Sequence, residues 1–500
     1  MIVFCTTCKG RAQHIEKTLP RNLADNADYP NCRFVILDYN SADHLLPYLG
    51  ANHAADVAGG RLAVYGEYSW PGPFRMAHAK NMAHRCGILE GADILVNLDA
   101  DNFTGPGFAS YIAEQFQIFG ADSFLWARMI KGEMPRGING RIVVSKHAFL
   151  NLGGYDEKYS TWSPDDKDFN LRLRRVGYIP REIAPRFLDA VVHNDRMRFR
   201  EYQHISSHPG EESAETISDS DETVVNFGNF GCGTVIKNSR PVKLRPLPTR
   251  IFGIGMHKTA TTSLHTALMI LGLDSAHWEN AHWAKAIWEE MSTMGHSRTL
   301  ERHYALSDLP IPLLYKELDK AYPGSKFILT TRNEQAWLES VKNHWDPDRN
   351  KFRLAWSTDP FTHRVHKLLY GQKGFDAEIM MERYRRHNAE VLEYFKERPR
   401  DLLQMDMDNG GSWDPLCSFL DKPIPDVAYP RLYVAPPAPE IVILEQMSAK
   451  KKKVKRRRRA ARFSKPADQA PSLGTALRVK ALIARGVRMI NPWEHGTPKI

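Results

Sequence analysis

Residues 251–273 read IFGIGMHKTATTSLHTALMILGL. An apolar strand runs to Gly255, a polar turn carries Lys258, and Thr259, Thr261, Thr262 and Ser263 lead into a helix with amphipathic spacing. N–H groups at a helix start, small hydroxyls and one ammonium make an anion site by geometry and charge. The nucleotide-kinase pattern G-x-x-x-x-G-K-[ST] is not met, because it needs glycine directly before the lysine and His257 stands there. Downstream, the strand KFILTTR (326–332) and the helix EQAWLESVKNHW (334–345) continue a strand–helix alternation that closes near SWDPLCSFLDKPIPDVAYP (412–430).

Upstream lies a second α/β pattern. From residue 1 to about 190, the apolar runs IVFCTT, FVILDYN, RLAVYGEY and ADILVNLDAD alternate with helical stretches at IEKTLPRNL and FRMAHAKNMAHRCGIL. This rhythm predicts a mostly parallel sheet covered by helices. Residues 203–249 interrupt it with Ser, Gly, Pro and an acidic patch, which reads as a linker with a small β ornament at TVVNFGNFG. The two halves show no internal repeat. The expected division is 1–202, a linker 203–249, 250–435, and a partly helical tail 436–500.

The 500 residues carry a net charge of +10, but nine of the ten residues in 450–459, KKKKVKRRRR, are Lys or Arg, so the other 490 residues sum to +1. The charge therefore belongs to a tail, which is expected either to be solvated or to meet an anionic membrane surface through residues 450–490. No zinc-finger spacing or RNA-recognition motif accompanies it, so no specific nucleic-acid partner is expected. No apolar run approaches the roughly 18 residues of a membrane span, and no signal peptide is recognisable, so a cytoplasmic location is expected, peripheral at a membrane if the tail binds one. Six Cys are too sparse for a disulfide framework, and Cys5 and Cys8 lack partners for a zinc site, so they read as packing residues.

In ADILVNLDADNF (92–103) an apolar strand runs into Asp99-Ala-Asp101, two carboxylates on one side of an extended chain. Paired carboxylates at a strand end favour a divalent cation, which in turn can hold a diphosphate. A solvated loop is the alternative, and the residues that follow weigh against it. GRIVVSKHAFLNLGGYDEKYSTWSPDDKDFNLRLRRVGY (140–178) resembles the acceptor-side region of GT-A glycosyltransferases of the family-2 and galactosyltransferase type, with their GGYDE…W…(E/D)D motif. CTTCKGRAQHIEKTLPRNL and FVILDYNSADH resemble the nucleotide-binding start of the same enzymes, so the likeness covers about residues 2–200. It implies a Rossmann-like nucleotide-sugar domain. In that reading Asp38 contacts uracil or its ribose, Asp99 the ribose or the metal, and Asp101 the metal, Mn²⁺ or Mg²⁺. Asp166 is the base that accepts the acceptor hydroxyl's proton, and His193 is a further metal ligand. Asp165 stands where the family often has Glu.

The turn at 257–264, HKTATTSL, resembles the 5′-phosphosulfate loop of sulfotransferases, usually PKTGTTSL, which use 3′-phosphoadenylyl sulfate (PAPS). Their second motif, a strand ending in Arg with Ser eight residues on, is matched by Arg332 and Ser340. The likeness covers about residues 250–430 and implies a P-loop-type α/β sulfotransferase domain. Lys258 would neutralise the leaving phosphate, Thr259, Thr261, Thr262 and Ser263 would hold the phosphosulfate, and Arg332 with Ser340 the 3′-phosphate. Where cytosolic members carry a catalytic His before Leu-Pro, this chain has Asp308-Leu309-Pro310, so the base is Asp308, with Glu317 as rival. The glycine-rich motif that closes over the 3′-phosphate in those members is not recognisable.

The expectation is a bifunctional enzyme that transfers a sugar from a nucleotide-sugar and sulfate from PAPS to a glycan or glycolipid acceptor. The alternatives are a transferase with a single activity and a glycan-binding scaffold in which one half is inactive.

Overall fold

The computed structural model describes residues 1–70, 72–128, 138, 140–159, 164–191, 222–345, 359–372, 374–408 and 411–432. The chain divides into two compact units, Met1–Tyr433 and Val434–Ile500. The second unit, which contains the basic tail, lies outside the described residues.

The first unit holds two helix-covered sheets and a small two-stranded antiparallel one. In chain order the N-terminal part runs β1 (Ile2–Cys8), α1 (Ala12–Asp25), β2 (Cys32–Tyr39), β3 (Leu62–Glu67), α2 (Met76–Leu89), β4 (Ile94–Asn97), β5 (Asn102–Phe103), β6 (Ser123–Trp126), β7 (Ile142–Ser145), α3 (Asp165–Val176), β8 (Ile179–Glu182) and β9 (Asp189–Ala190). Then follow β10 (Gly233–Lys237), β11 (Arg240–Leu244), β12 (Ile251–Gly253), α4 (Thr261–Ile270), β13 (Ser275–His277), β14 (Ala305–Ser307), α5 (Tyr315–Ala321), β15 (Lys326–Thr331), α6 (Glu334–Trp345), α7 (Ala377–Tyr394) and β16 (Leu402–Asp406).

The first sheet has the order β11-β10-β3-β2-β1-β4-β7-β6-β8. Its centre, β3-β2-β1-β4, is parallel, as the alternating pattern predicts. β7 is antiparallel to both β4 and β6, and β10 is antiparallel to both β11 and β3, so the sheet is mixed towards both edges. Alternate residues of β1 enter opposite cores: Val3 and Cys5 pack with Val35 and Leu37, whereas Ile2 and Phe4 pack with Phe34 and Ile36. Burial on both faces explains why these strands read as continuous apolar runs. All six Cys are unpaired, and Cys5 and Cys8 are buried in β1.

The second sheet, β13-β14-β12-β15-β16, is parallel throughout. β12 lies between β14 and β15, so the connection from β12 to β13 runs to one side and the crossover from β14 to β15 passes to the other, which puts the switch point at the carboxyl end of β12.

The stretch 203–249, expected as a linker, is built into this frame where it is described. TVVNFGNFG forms a 3-10 turn at Asn226–Gly228 rather than a strand. The β structure comes later, as the β10–β11 hairpin that extends the first sheet beyond β3. A polar seam joins the two sheets' surroundings: Asn151 Nδ2 donates to Arg302 O at 2.6 Å and to Asp274 Oδ2 at 3.2 Å, Arg250 donates to Asn151 O at 2.5 Å, and Arg302 pairs with Asp122 at 2.8 Å. Among the described residues no helix is long and apolar enough to cross a membrane.

Candidate functional site

Two sites lie at the carboxyl ends of the parallel strands. In the first, Asp38 is the last residue but one of β2, buried, with Oδ1 accepting from Ser41 N at 2.9 Å and Oδ2 from the Tyr68 hydroxyl at 3.3 Å. Burial pushes its carboxyl above the usual range, and the hydrogen bonds oppose that. Beyond β4 the chain does not stay extended as expected. Asn102 N donates to Asp99 O at 2.9 Å, so the backbone turns at 99–102, and the turn leaves Asp99 half-buried and Asp101 buried.

Asp99 belongs to an acidic cluster. A Cβ on Gly140 would lie 2.7 Å from Asp99 Oδ2 and 3.0 Å from Asp166 Oδ2, so both carboxylates converge on that bare backbone position. Asp166 enters from the first turn of α3, next to Asp165, where the helix N-terminus favours acidic residues. Lys80, on α2, donates to Asp165 Oδ2 and to Asp166 Oδ1, both at 2.7 Å, and lies 5.1 Å from the Tyr155 ring centroid. Lys80 is only 2 % exposed. Its burial opposes the charged form, but Asp165, Asp166 and Asp99 outweigh that and hold its ammonium well above the ordinary value. One cation does not balance three carboxylates. Burial first, and then repulsion from Asp166, push Asp165 up to about 7 against the pull of Lys80. Asp99 is pushed up to about 6, by burial and by Asp166 and Asp101. Arg141, fully buried, donates to Asn102 Oδ1 at 2.9 Å and adds positive potential behind Asp99 and Asp101; burial lowers its own value to about 10. Asp101 sits 3.9 Å from Arg11 and accepts from Asn102 Nδ2 at 2.8 Å.

Among the described residues no three His, Cys, Asp or Glu side chains are gathered as a metal cage. Asp99 and Asp101 nonetheless place two carboxylates on one turn, a donor chemistry that a divalent cation takes. His193 and Trp162 lie outside the described residues.

The second site surrounds the turn after β12. Lys258 and Ala260 have φ of 71° and 64°. Left-handed backbone suits a phosphate-cradling loop, and Ala260 adopts it where the sulfotransferase pattern has Gly. Gly255 permits close packing, since a Cβ there would lie 2.0 Å from Thr330 Oγ1. Thr259 is buried, with its hydroxyl 2.7 Å from Met256 O and 2.6 Å from Thr330 Oγ1, so it braces the loop against β15. Thr261 and Thr262 open α4, and Ser263 accepts from Leu432 N at 3.2 Å.

Lys258 is half-buried. Burial lowers its pKa and Arg332 lowers it further, while Asp308 opposes both. Arg332 follows β15 and donates to Lys258 O at 3.4 Å, and the Tyr384 hydroxyl donates to Arg332 O at 2.9 Å. Ser340 is half-buried on α6, two turns beyond Arg332, and has no side-chain hydrogen bond among the described residues. Asp308 follows β14 with φ of 69°, buried, its Oδ1 accepting from Leu309 N at 2.8 Å. Glu317 is exposed on α5.

Thus the second site gathers Lys258, Arg332 and Asp308, whereas Glu317 stands apart in solvent. Three residues passed over in the sequence reading belong to these sites. Lys80 and Arg141 line the acidic cluster; Lys80 is buried with the rest of α2 from Ala77 to Gly87, a burial that the polar residues of that helix did not signal. His277 ends β13 with Nε2 3.2 Å from Asp308 Oδ2 and 3.0 Å from Thr261 Oγ1. Parallel pairing sets His277 opposite Ser307, a juxtaposition that local sequence does not carry.

Residues 250–435 match the family described as a sulfotransferase domain, which supports a transferase. A curated relative, Ava biosynthesis cluster protein M of Aspergillus versicolor, is 26% identical over a match covering 37% of this chain and 80% of the relative. Similar solved structures, matched over the N-terminal region, include the mannosyltransferase PcManGT from Pyrobaculum calidifontis in complex with GDP-Man and Mn²⁺ (17% identity, 41% of this chain, 61% of that chain, TM-score 0.32). TarS 1–349 of S. aureus in complex with UDP is another (11% identity, 42% of this chain, 67% of that chain, TM-score 0.30). The chain thus spans 61% of the first of these structures.

Proposed function

We propose that the chain is a two-site transferase, moving a glycosyl group at the first site and a sulfuryl group from PAPS at the second, onto hydroxyls of a glycan or glycolipid. The observation that carries the reading is the meeting of Lys258, Arg332 and Asp308 beyond three adjacent parallel strands, inside the stretch that matches the sulfotransferase domain. Arg332 and Ser340 would take the 3′-phosphate, and Thr259, Thr261, Thr262, Ser263 and the loop N–H groups the 5′-phosphosulfate. Lys258 would neutralise the phosphate as it leaves, and acid–base chemistry would centre on Asp308. Sulfuryl transfer, like phosphoryl transfer, asks for positioning and charge stabilisation more than covalent catalysis.

At the first site Asp38 would hold the base or ribose of a nucleotide-sugar, probed first with UDP-sugars. Asp99 and Asp101 would hold Mn²⁺ or Mg²⁺, which when bound offsets the charge of the leaving diphosphate. Asp166 would accept the acceptor hydroxyl's proton while Lys80 keeps that carboxylate oriented. The tie between Lys80 and Asp166 also favours a second reading, in which only the sulfuryl site is active and the first half binds glycan.

Nucleotide-sugar hydrolysis with Mn²⁺ and binding of 3′,5′-ADP by the full chain test the proposal. Both are expected. Binding of 3′,5′-ADP without hydrolysis of any nucleotide-sugar selects the second reading, and failure of both ends the account.

A further inference from the structure

Arg332 follows β15 and Lys258 lies in the turn after β12, on separate stretches of chain that meet only because the two strands pair in parallel. A ligand that touches both residues needs their separation fixed, and positioning of this kind is sensitive to displacements of about 1 Å. Their direct contact, from Arg332 Nη1 to Lys258 O, is 3.4 Å long and uses one of the guanidinium's five N–H groups. A bond of that length does not set a distance.

Shorter ties run through α7 and α6. Arg332 lies one residue beyond β15, so its backbone groups need partners outside the ladder. The Tyr384 hydroxyl of α7 supplies both: it accepts from Arg332 N at 2.8 Å and donates its single hydrogen to Arg332 O at 2.9 Å. Tyr384 is buried, and its ring stacks on the fully buried Trp337 of α6, with centroids 4.4 Å apart and planes at 19°. Trp337 Nε1 in turn donates to His257 O at 3.0 Å. That carbonyl shares a planar peptide with Lys258 N, so holding it orients the start of the turn. His387, one turn on from Tyr384, donates through Nε2 to Ile254 O at 2.8 Å, since a carbonyl only accepts. One face of α7 therefore grips the chain just past β15 and just past β12.

We propose that Tyr384 and Trp337 are positioning residues that set the span between Arg332 and the Lys258 turn, and that this span selects nucleotides phosphorylated at both 3′ and 5′ over those phosphorylated at 5′ alone. The inference rests on the reading of this turn as a PAPS site. Neither ring needs to touch the nucleotide. Tyr384 acts through the backbone of Arg332, whose guanidinium would meet the 3′-phosphate, and Trp337 acts through the peptide before Lys258. A nucleotide without a 3′-phosphate does not use Arg332 and is indifferent to the span.

The test measures the affinities of 3′,5′-ADP and 5′-AMP for the full chain by calorimetric titration. The parent is expected to prefer 3′,5′-ADP. Y384F keeps the ring and its stack and removes only the hydroxyl. It is expected to bind 3′,5′-ADP about 10-fold more weakly while 5′-AMP stays within about 2-fold. R332A should lose the preference, and adding Y384F to R332A should change neither affinity, because Tyr384 then has no guanidinium to position. A merely structural Tyr384 would weaken both nucleotides, and would do so in R332A as well. That result, or a preference unchanged in Y384F, overturns the proposal. If Y384F does not fold, W337F decides: it removes the donor to His257 O and should lower the preference by a similar factor, and an unchanged preference is the contrary result. A parent that does not bind 3′,5′-ADP removes the PAPS reading and the proposal with it, whereas a parent that binds both nucleotides equally overturns the proposal alone.

Discussion

Lys80→Met removes the one ammonium that holds Asp165 and Asp166 together while roughly preserving side-chain volume. Each contact is 2.7 Å long, and Lys80 and Asp165 are both almost fully buried. At an effective dielectric of 20 each pair attracts by about 6 kcal/mol before desolvation is counted. Desolvation of the lysine offsets much of this, and removing one partner of a buried pair costs about 3–5 kcal/mol net. The sign with pH follows from Asp165, whose carboxyl stands at about 7 in the folded chain. Unfolded, it titrates near 3.9, so between the two values the folded state binds more protons and stability falls as pH rises. Without Lys80 the folded value rises further and the window widens upward. Urea denaturation should therefore find K80M destabilised by about 3–5 kcal/mol at pH 8 and clearly less at pH 5, where the orphaned carboxyl takes a proton. K80M/D165N should recover a large part of the loss. A cost below about 1 kcal/mol at pH 8, or an equal cost at both pH values, would refute the buried ion-pair account.

Gly255→Ala would place a Cβ 2.0 Å from Thr330 Oγ1 and 2.6 Å from Thr330 O, where backbone cannot yield. It should cost about 1–3 kcal/mol and abolish 3′,5′-ADP binding, and parental affinity would contradict the packing of the loop on β15. Ala260→Gly relieves a residue at φ 64°. Release of left-handed strain outweighs the added chain entropy, so urea denaturation should show a gain of up to about 1 kcal/mol, and a loss of that size is the adverse outcome. Asn151→Ala strips the seam of donors to Arg302 O and Asp274. It should cost about 1–3 kcal/mol by the same method, and no measurable change would make the seam incidental.

Both strand–turn–helix units were legible because their cues are local. IFGIGMHKTATTSL carries its strand, turn and helix start within fourteen residues, and the apolar runs of β1, β2 and β4 announce strands buried on both faces. Asp308 came from the resemblance to sulfotransferases, through its place before Leu-Pro. The rest depends on who pairs with whom. The pull of Lys80 on Asp166 spans 86 positions, and the contact between His277 and Asp308 is made by strand register. The β10–β11 hairpin lay within a stretch rich in turn residues, and its pairing with β3 is antiparallel in a sheet whose alternation predicted parallel neighbours. A turn bond from Asn102 to Asp99 likewise replaced the extended chain expected at the carboxylate pair, because the buried turn satisfies backbone groups that a strand end would leave open.

The most direct test of two independent transferase sites is one titration of 3′,5′-ADP into the full chain, its K258A variant and its D101A variant. The parent and D101A should bind with the same affinity while K258A loses binding, since Lys258 faces Asp308 and Arg332 and Asp101 lies in the turn after β4 of the first sheet. Undiminished binding by K258A, or loss of binding in D101A, would contradict the account.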